Sequence, residues 1–385
     1  MQEVSGSIPL GSTNLRSLRE LKKEPPSPGG FFCCPLLFPF SPPRCMMAEK
    51  PGEQMQGKIA LEEHVAIEPT LGDSKVFGAH VWKDLEHRLI DVQDTRLREM
   101  DKHGVEMMIL SLNAPAIQAI HDVKTAMAVA RQANDALAEH TRKRPARFAA
   151  FAALPMQDPD AAIAELTRCV KDLGMVGALV NGFSNIGTAD NVTYYDLPQY
   201  RPFWKTVEAL GVPFYLHPRN PLPSWTKMYE GHNWLLGPNW AFSAETAVHA
   251  LRLIGSGLFD ECPKLQVVLG HLGEGIPVQL WRIDGRNGWM KAPHKYAAKK
   301  GVGDYFKNHF HLTTSGNFHT PSLVNAMSEM GPDRVMFSVD WPFEDVGEGC
   351  AWFDKAEISE ADRIRIGRDN AIKLFKLFKL FKLKI

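Results

Sequence analysis

The chain has 385 residues, 44% hydrophobic and 23% charged, with 44 basic and 44 acidic side chains. That length and composition exclude a disordered or fibrous polypeptide, and the even charge balance supplies no field to draw nucleic acid or an anionic membrane surface. No apolar run approaches the ~18–20 residues that cross a bilayer, so the expected protein is soluble and cytoplasmic, with a small molecule as its partner.

Residues 1–54 differ in character from the rest of the chain. Pro25-Pro26-Ser27-Pro28-Gly29-Gly30 leads into an apolar stretch, Phe31 to Phe40, which Pro35 and Pro39 interrupt and Ser41-Pro42-Pro43 ends. Prolines so spaced preclude a continuous helix, and the segment is expected to be a disordered leader or an over-extended start upstream of Met46, Met47 or Met55. Cys33, Cys34 and Cys45 fall within it, while Cys169, Cys262 and Cys350 are scattered through the body without the close pairs of a zinc ribbon. Free thiols of a reducing compartment, buried as small apolar residues, are expected instead of a disulfide framework.

From Met55 onward a rhythm sets in. Short apolar runs recur at 58–61, 105–112, 148–154, 175–180, 212–216, 265–269, 310–314 and 334–339, with helical patterns between most of them, among them 123–138, 161–173, 244–258 and 321–330. Asp158-Pro159-Asp160 places a capping side chain and a first-turn proline where one helix should begin. Eight strands alternating with helices predict an α/β fold, a parallel (β/α)8 TIM barrel over residues 55–377. A doubly wound sheet shares the alternation, but no Gly-x-Gly-x-x-Gly follows an early strand. Segments 68–89 and 219–242, after the first and fifth strands, are long enough to form a lid whose Trp82, Trp225, Trp234 and Trp240 would exclude water.

The first strand, Lys58-Ile59-Ala60-Leu61-Glu62-Glu63-His64, passes abruptly from apolar residues to two carboxylates and an imidazole. Alternation puts Glu62 and His64 on one side and Glu63 on the other, so that an acid and a histidine can each give one atom to a divalent cation. Alone, Glu-x-His is a weak signal. The fifth strand, however, ends in His217, the sixth runs into Gly270-His271-Leu272-Gly273-Glu274, and the eighth ends in Asp340. In a barrel all of these groups meet at the C-terminal mouth, and coincidence across four strands is far rarer than on one.

On these stretches, with Leu110-Ser111-Leu112-Asn113-Ala114-Pro115, Gly177-Ala178-Leu179-Val180-Asn181-Gly182-Phe183, His217-Pro218-Arg219-Asn220-Pro221, Trp281-Arg282-Ile283-Asp284 and Asp340-Trp341-Pro342-Phe343-Glu344, the chain resembles the amidohydrolase superfamily. Within it the resemblance is to the non-oxidative decarboxylases of γ-resorcylate (2,6-dihydroxybenzoate), 2,3-dihydroxybenzoate and salicylate. It implies one divalent metal ion, zinc or manganese, held by Glu62, His64, His217 and Asp340, and no organic cofactor. No lysine ends the fourth strand, where binuclear superfamily members carry a bridging carbamate. His271 and Glu274 are implied as a proton-handling pair, with Asp340 as the catalytic acid that protonates the ring carbon bearing the carboxylate before CO2 leaves.

Arg282, Asn181, Asn287, Ala114 and Phe343 are the candidate substrate contacts, with Phe343 and Trp341 placed to stack on an aromatic ring. Gly285 and Gly288 stand where relatives often show histidine and alanine, departures that bear on substrate tuning. A homo-oligomer, dimer or tetramer, is the family habit. The same ligands would also serve a hydrolase of a lactone, ester or amide, which is the alternative activity. The Leu-Phe-Lys repeat that runs through residues 378–385 keeps no single helical face and is expected to be a frayed or artefactual extension.

Overall fold

The computed structural model describes residues 54–77, 79–289 and 296–379; residues 1–53 of the leader and 380–385 of the tail lie outside the described residues. Eight strands form one sheet: β1 (Lys58–Val65), β2 (Val105–Leu112), β3 (Phe148–Ala152), β4 (Gly177–Asn181), β5 (Phe214–His217), β6 (Val267–Leu269), β7 (Phe310–Thr313) and β8 (Val335–Met336). They follow one another in chain order, and each paired neighbour is parallel. Helices connect them, as the (β/α)8 expectation requires, and a small antiparallel hairpin, Ser184–Ile186 with Thr188–Thr193, follows β4. The helix predicted after Asp158 begins at Pro159, with the Asp158 side chain accepting from the Asp160 and Ala161 N–H groups.

Ile59, Leu61, Met107, Ile109, Phe151, Leu179, Tyr215, Val268 and Met336 fill the barrel interior. The alternate residues Ala60, Met108, Ala150, Val180, Leu216, Leu269 and Leu312 belong to the larger cluster that packs against the helices. Both faces of each strand are thus buried, which is why the strands read as continuous apolar runs. The interior is plugged at the N-terminal end by the C-terminal segment, whose Ala371, Ile372, Phe375 and Leu377 join it. The Phe375 and Phe151 rings meet edge to face at 5.4 Å.

β1 departs from simple alternation. Its pairing with β2 shifts register between Ala60 and Glu63. Strict alternation would send Glu62 the way of Ala60, into the helix layer; the bulge changes the phase, so Glu62 enters the mouth directly above Leu61.

Among the described residues no ladder joins β8 to β1, and side chains close that seam. Ser338 Oγ accepts from the Leu61 and Glu62 N–H groups (3.1 and 2.7 Å) and donates to Glu63 Oε1 (3.1 Å). The Glu63 carboxylate also accepts from Val339 N (3.0 Å) and Trp341 N (3.2 Å). Glu63 therefore faces away from the ligand pair, as expected, and staples the barrel shut. Burial pushes its carboxyl up to about 7, against the pull of the Val339 amide and Arg96. β8 is shorter than the predicted 334–339 because Phe337 N bonds Ile366 O and Ser338 N bonds Thr314 Oγ1, outside any ladder.

The long segments after β1 and β5 are strings of short helices rather than open loops, Glu68–Leu71, Gly72–Phe77 and Ala79–Ile90 in the first, Pro223–Tyr229, Asn233–Leu235 and Gly237–Asn239 in the second. Cys169, Cys262 and Cys350 are free and buried, as expected. No helix among the described residues is long and apolar enough to cross a membrane.

Candidate metal centre

At the C-terminal mouth Glu62, His64, His217 and Asp340 each offer one ligand atom, and these atoms all lie within 4.8 Å of one another. His217 Nε2 is 3.1 Å from Glu62 Oε1, and His64 Nε2 is 3.2 Å from Asp340 Oδ1. Glu62 Oε1, His64 Nε2 and Asp340 Oδ1 are buried without a hydrogen-bond partner among the described residues. An orphaned buried polar atom costs about 1–3 kcal/mol, and three aimed at one point make an arrangement that a single cation would satisfy together. Two imidazoles and two carboxylates fit one divalent ion of the zinc or manganese type.

The outer faces of Glu62 and His64 are fixed. Glu62 Oε2 accepts from Tyr215 OH and from Ser315 Oγ (2.7 Å), and the Tyr215 hydroxyl lies 2.7 Å from Thr313 Oγ1. That leaves Oε1 as the free oxygen. Gly270 is required beside it: a Cβ there would lie 2.7 Å from Glu62 Oε2. His64 Nδ1 lies 3.3 Å from the Leu112 carbonyl and 3.1 Å from Ser111 Oγ. Donation from Nδ1–H to the carbonyl leaves the lone pair on Nε2, where a ligand needs it. Burial would raise the Glu62 carboxyl, but the facing His271, His217 and His64 hold it well below the usual carboxylate range.

His271 and Glu274 sit beside this cluster on a tight left-handed turn, in which residues 271–275 all have positive φ. The turn folds the two side chains together, with His271 Nδ1 2.7 Å from Glu274 Oε1. His271 Nε2 faces Asp340 Oδ2 at 3.6 Å and Glu62 Oε1 at 3.5 Å. Burial alone would lower the imidazole, but the charges of Glu274 and Glu62 and the contact with Asp340 raise it well above its ordinary value. Asp340 itself is held at φ 81°, a left-handed conformation rare for a residue with a side chain and common at functional sites.

The centre opens into a cavity of about 770 Å3 that His217, His271 and Asp340 line from below. Ala114 and Phe343 line it too, and Phe343 stands edge-on to His64 at 5.6 Å. Asn181 is buried and donates to the Asn113 and Pro115 carbonyls (3.0 and 3.3 Å), so it braces the loop that carries Ala114. Arg282 and Asn287 are not brought to the site: both lie on the helix Ile276–Trp289, Arg282 exposed and Asn287 half-buried, and neither lines the cavity. The aromatic lid is also corrected, since Trp225, Trp234 and Trp240 are 44, 66 and 55% exposed and none lines the cavity. Trp82 packs instead in a small cluster with Leu85 and Phe343.

Sequence reasoning missed Tyr215 and Ser315 behind Glu62, and Asp73, Arg88, Arg219 and Glu344 on the cavity wall. Arg219 and Glu344 stand next to strand-end motifs and were within reach of that signal. Burial pushes Asp73 up to about 6 and, together with the nearby Asp340, Glu344 up to about 7.

Residues 77–377 match the family model described as Amidohydrolase. Over 322 residues the chain is 63% identical to a gamma-resorcylate decarboxylase of Rhizobium sp. (strain MTP-10005), with 83% of this chain and 98% of that protein covered. A crystal structure of 2,6-dihydroxybenzoate decarboxylase in complex with 2,6-dihydroxybenzoate shares 63% identity at a TM-score of 0.82, covering 84% of this chain and 100% of that one. A dihydroxybenzoic acid decarboxylase from Polaromonas sp. JS666, with bound manganese and the inhibitor 2-nitroresorcinol, shares 60% identity at a TM-score of 0.82, covering 84% and 98%.

Proposed function

The chain belongs to the amidohydrolase family and is a decarboxylase of hydroxybenzoates, and we propose that 2,6-dihydroxybenzoate is its substrate and one manganese ion its metal. The observation that carries this reading is the convergence of orphaned Glu62, His64 and Asp340 atoms, with His217, at the floor of a cavity large enough for a single aromatic ring. Two carboxylates make a hard donor set, which suits manganese, and a relative at 60% identity holds that ion.

A divalent cation held by these four side chains would draw electron density towards the phenolic and carboxylate oxygens of the substrate and fix the ring. The side chains of the chain itself handle the proton. Asp340, with one oxygen towards His64 and the other towards His271, gives a proton to the ring carbon that bears the carboxylate. The bond to the carboxylate then breaks, CO2 leaves, and the bonding pair stays in the ring and restores aromaticity. His271, kept charged by Glu274, returns a proton to Asp340. Phe343 and the neighbouring prolines wall the ring and keep water from competing for the proton. A homo-oligomer of two or four copies would cover the exposed indoles Trp234, Trp240 and Trp281.

Manganese-loaded protein incubated with 2,6-dihydroxybenzoate, 2,3-dihydroxybenzoate, salicylate and a panel of lactones tests the reading. CO2 is expected fastest from 2,6-dihydroxybenzoate and is expected to stop on chelation. Lactone opening without CO2 release would establish the hydrolase instead.

A further inference from the structure

A second cavity, about 580 Å3, opens at the opposite end of the barrel, between the feet of β5, β6 and β7 and the plug formed by the C-terminal segment. Among the described residues Lys264, Arg334, Lys373 and Lys376 line it against two carboxylates, Glu208 and Asp333. Glu208 Oε1 accepts the backbone N–H of Lys264 (2.6 Å), and Asp333 Oδ1 faces Arg365 Nε (3.0 Å), which is not part of the wall. Lys376 Nζ donates to the Gly211 carbonyl (2.6 Å). Among the described residues Lys264, Arg334 and Lys373 form no ion pair.

The inner wall carries His311, only 8% exposed. A guanidinium cannot accept a hydrogen bond, so Arg334 Nη1 donates to both His311 Nε2 (2.9 Å) and Gln266 Oε1 (2.7 Å). The ring is neutral, since burial and the Arg334 charge push its pKa down to about 3. Its one proton therefore sits on Nδ1, a buried donor with no acceptor among the described residues. The cavity thus supplies positive charge and lacks the acceptor that would complete it.

We propose that this cavity binds a phosphate-type oxyanion, free or as the phosphoryl group of a small metabolite, through Lys264, Arg334 and Lys373. Four cations against two carboxylates leave positive charge for a doubly charged guest, and the wall has no Phe, Tyr or Trp ring to hold a benzoate. Because the site lies at the plugged end, it is separate from the metal centre, and an occupant would brace the C-terminal segment against the barrel.

Calorimetric titration of the metal-loaded full chain with inorganic phosphate and with ribose 5-phosphate is the test. Saturable binding of at least one is expected, weakened about tenfold or more in the double variant Lys264→Gln/Lys373→Gln, with the decarboxylation rate unchanged. In the parent protein the His311 ring resonances should shift with the same midpoint, through the Arg334 contact at Nε2. Tighter binding of the sugar phosphate would assign the site to an organic ligand, and the reverse to free phosphate. Absence of saturable binding by both overturns the proposal, as does binding of unaltered affinity in the double variant, which would place the anion at the metal centre.

Discussion

The two ends of β1 treat buried charge in opposite ways. At the foot, Lys58 is completely buried, yet its ammonium is matched: it lies 3.0 Å from Asp354 and donates to the Met55 and His103 carbonyls. At the mouth, Glu62 and His64 are equally buried, and each leaves one atom without a partner. A charge that the fold answers from within serves stability. One that it leaves unanswered, while fixing its other oxygen or nitrogen, is held ready for something that is not protein. A structural ion pair can thus be told from a metal ligand even when burial and residue type are alike.

Substitutions at the two ends should therefore fail in different assays. The largest effect is expected from Asp340→Asn, which removes both a proposed ligand and the proposed proton donor. Decarboxylation should fall by about a thousandfold or more, while the melting temperature of the metal-free protein holds or rises because a crowded carboxylate has gone. Steady-state kinetics beside a thermal melt check this, and a large loss of stability with activity kept per folded molecule would erase the distinction between the two ends. Lys58→Met, at the other end, leaves the partly buried Asp354 without its cation and should cost about 3 kcal/mol, read by denaturant unfolding, with kcat per folded molecule unchanged. Tyr215→Phe separates the two roles within one residue's reach. It takes one of the two donors from Glu62 Oε2 without touching the ligand atom, so manganese affinity should fall about 10–100-fold with little change in melting temperature, as followed by titration of the free Mn2+ resonance signal.

Much of the molecule was legible in the sequence, for a physical reason. A strand buried on both faces must be a run of apolar residues, and a polar group that ends such a run has no structural reason to be there. Those two constraints gave the eight strands and delivered Glu62, His64, His217, His271 and Asp340 to one mouth. What lay outside that logic stayed hidden. Tyr215 sits within an apolar run and reads as core, although its hydroxyl fixes the Glu62 carboxylate. The bulge at Ala60 to Glu63 leaves no mark in composition, and neither does the Ser338 and Glu63 staple that replaces a ladder. Arg282 was drawn in by a matching stretch, but its helix turns that side chain to solvent. The tryptophans after β5 were expected to cover the cavity, yet loop direction is set by tertiary packing, and none of them lines it.

Everything proposed for the mouth of the barrel requires four side chains from distant parts of the chain to share one ion. Anomalous diffraction at the manganese edge, from crystals of protein active in releasing CO2 from 2,6-dihydroxybenzoate, would locate that ion. One strong peak is expected, enclosed by Glu62 Oε1, His64 Nε2, His217 Nε2 and Asp340 Oδ1. An active protein whose metal lies elsewhere, or whose four ligand atoms enclose no peak, would contradict it.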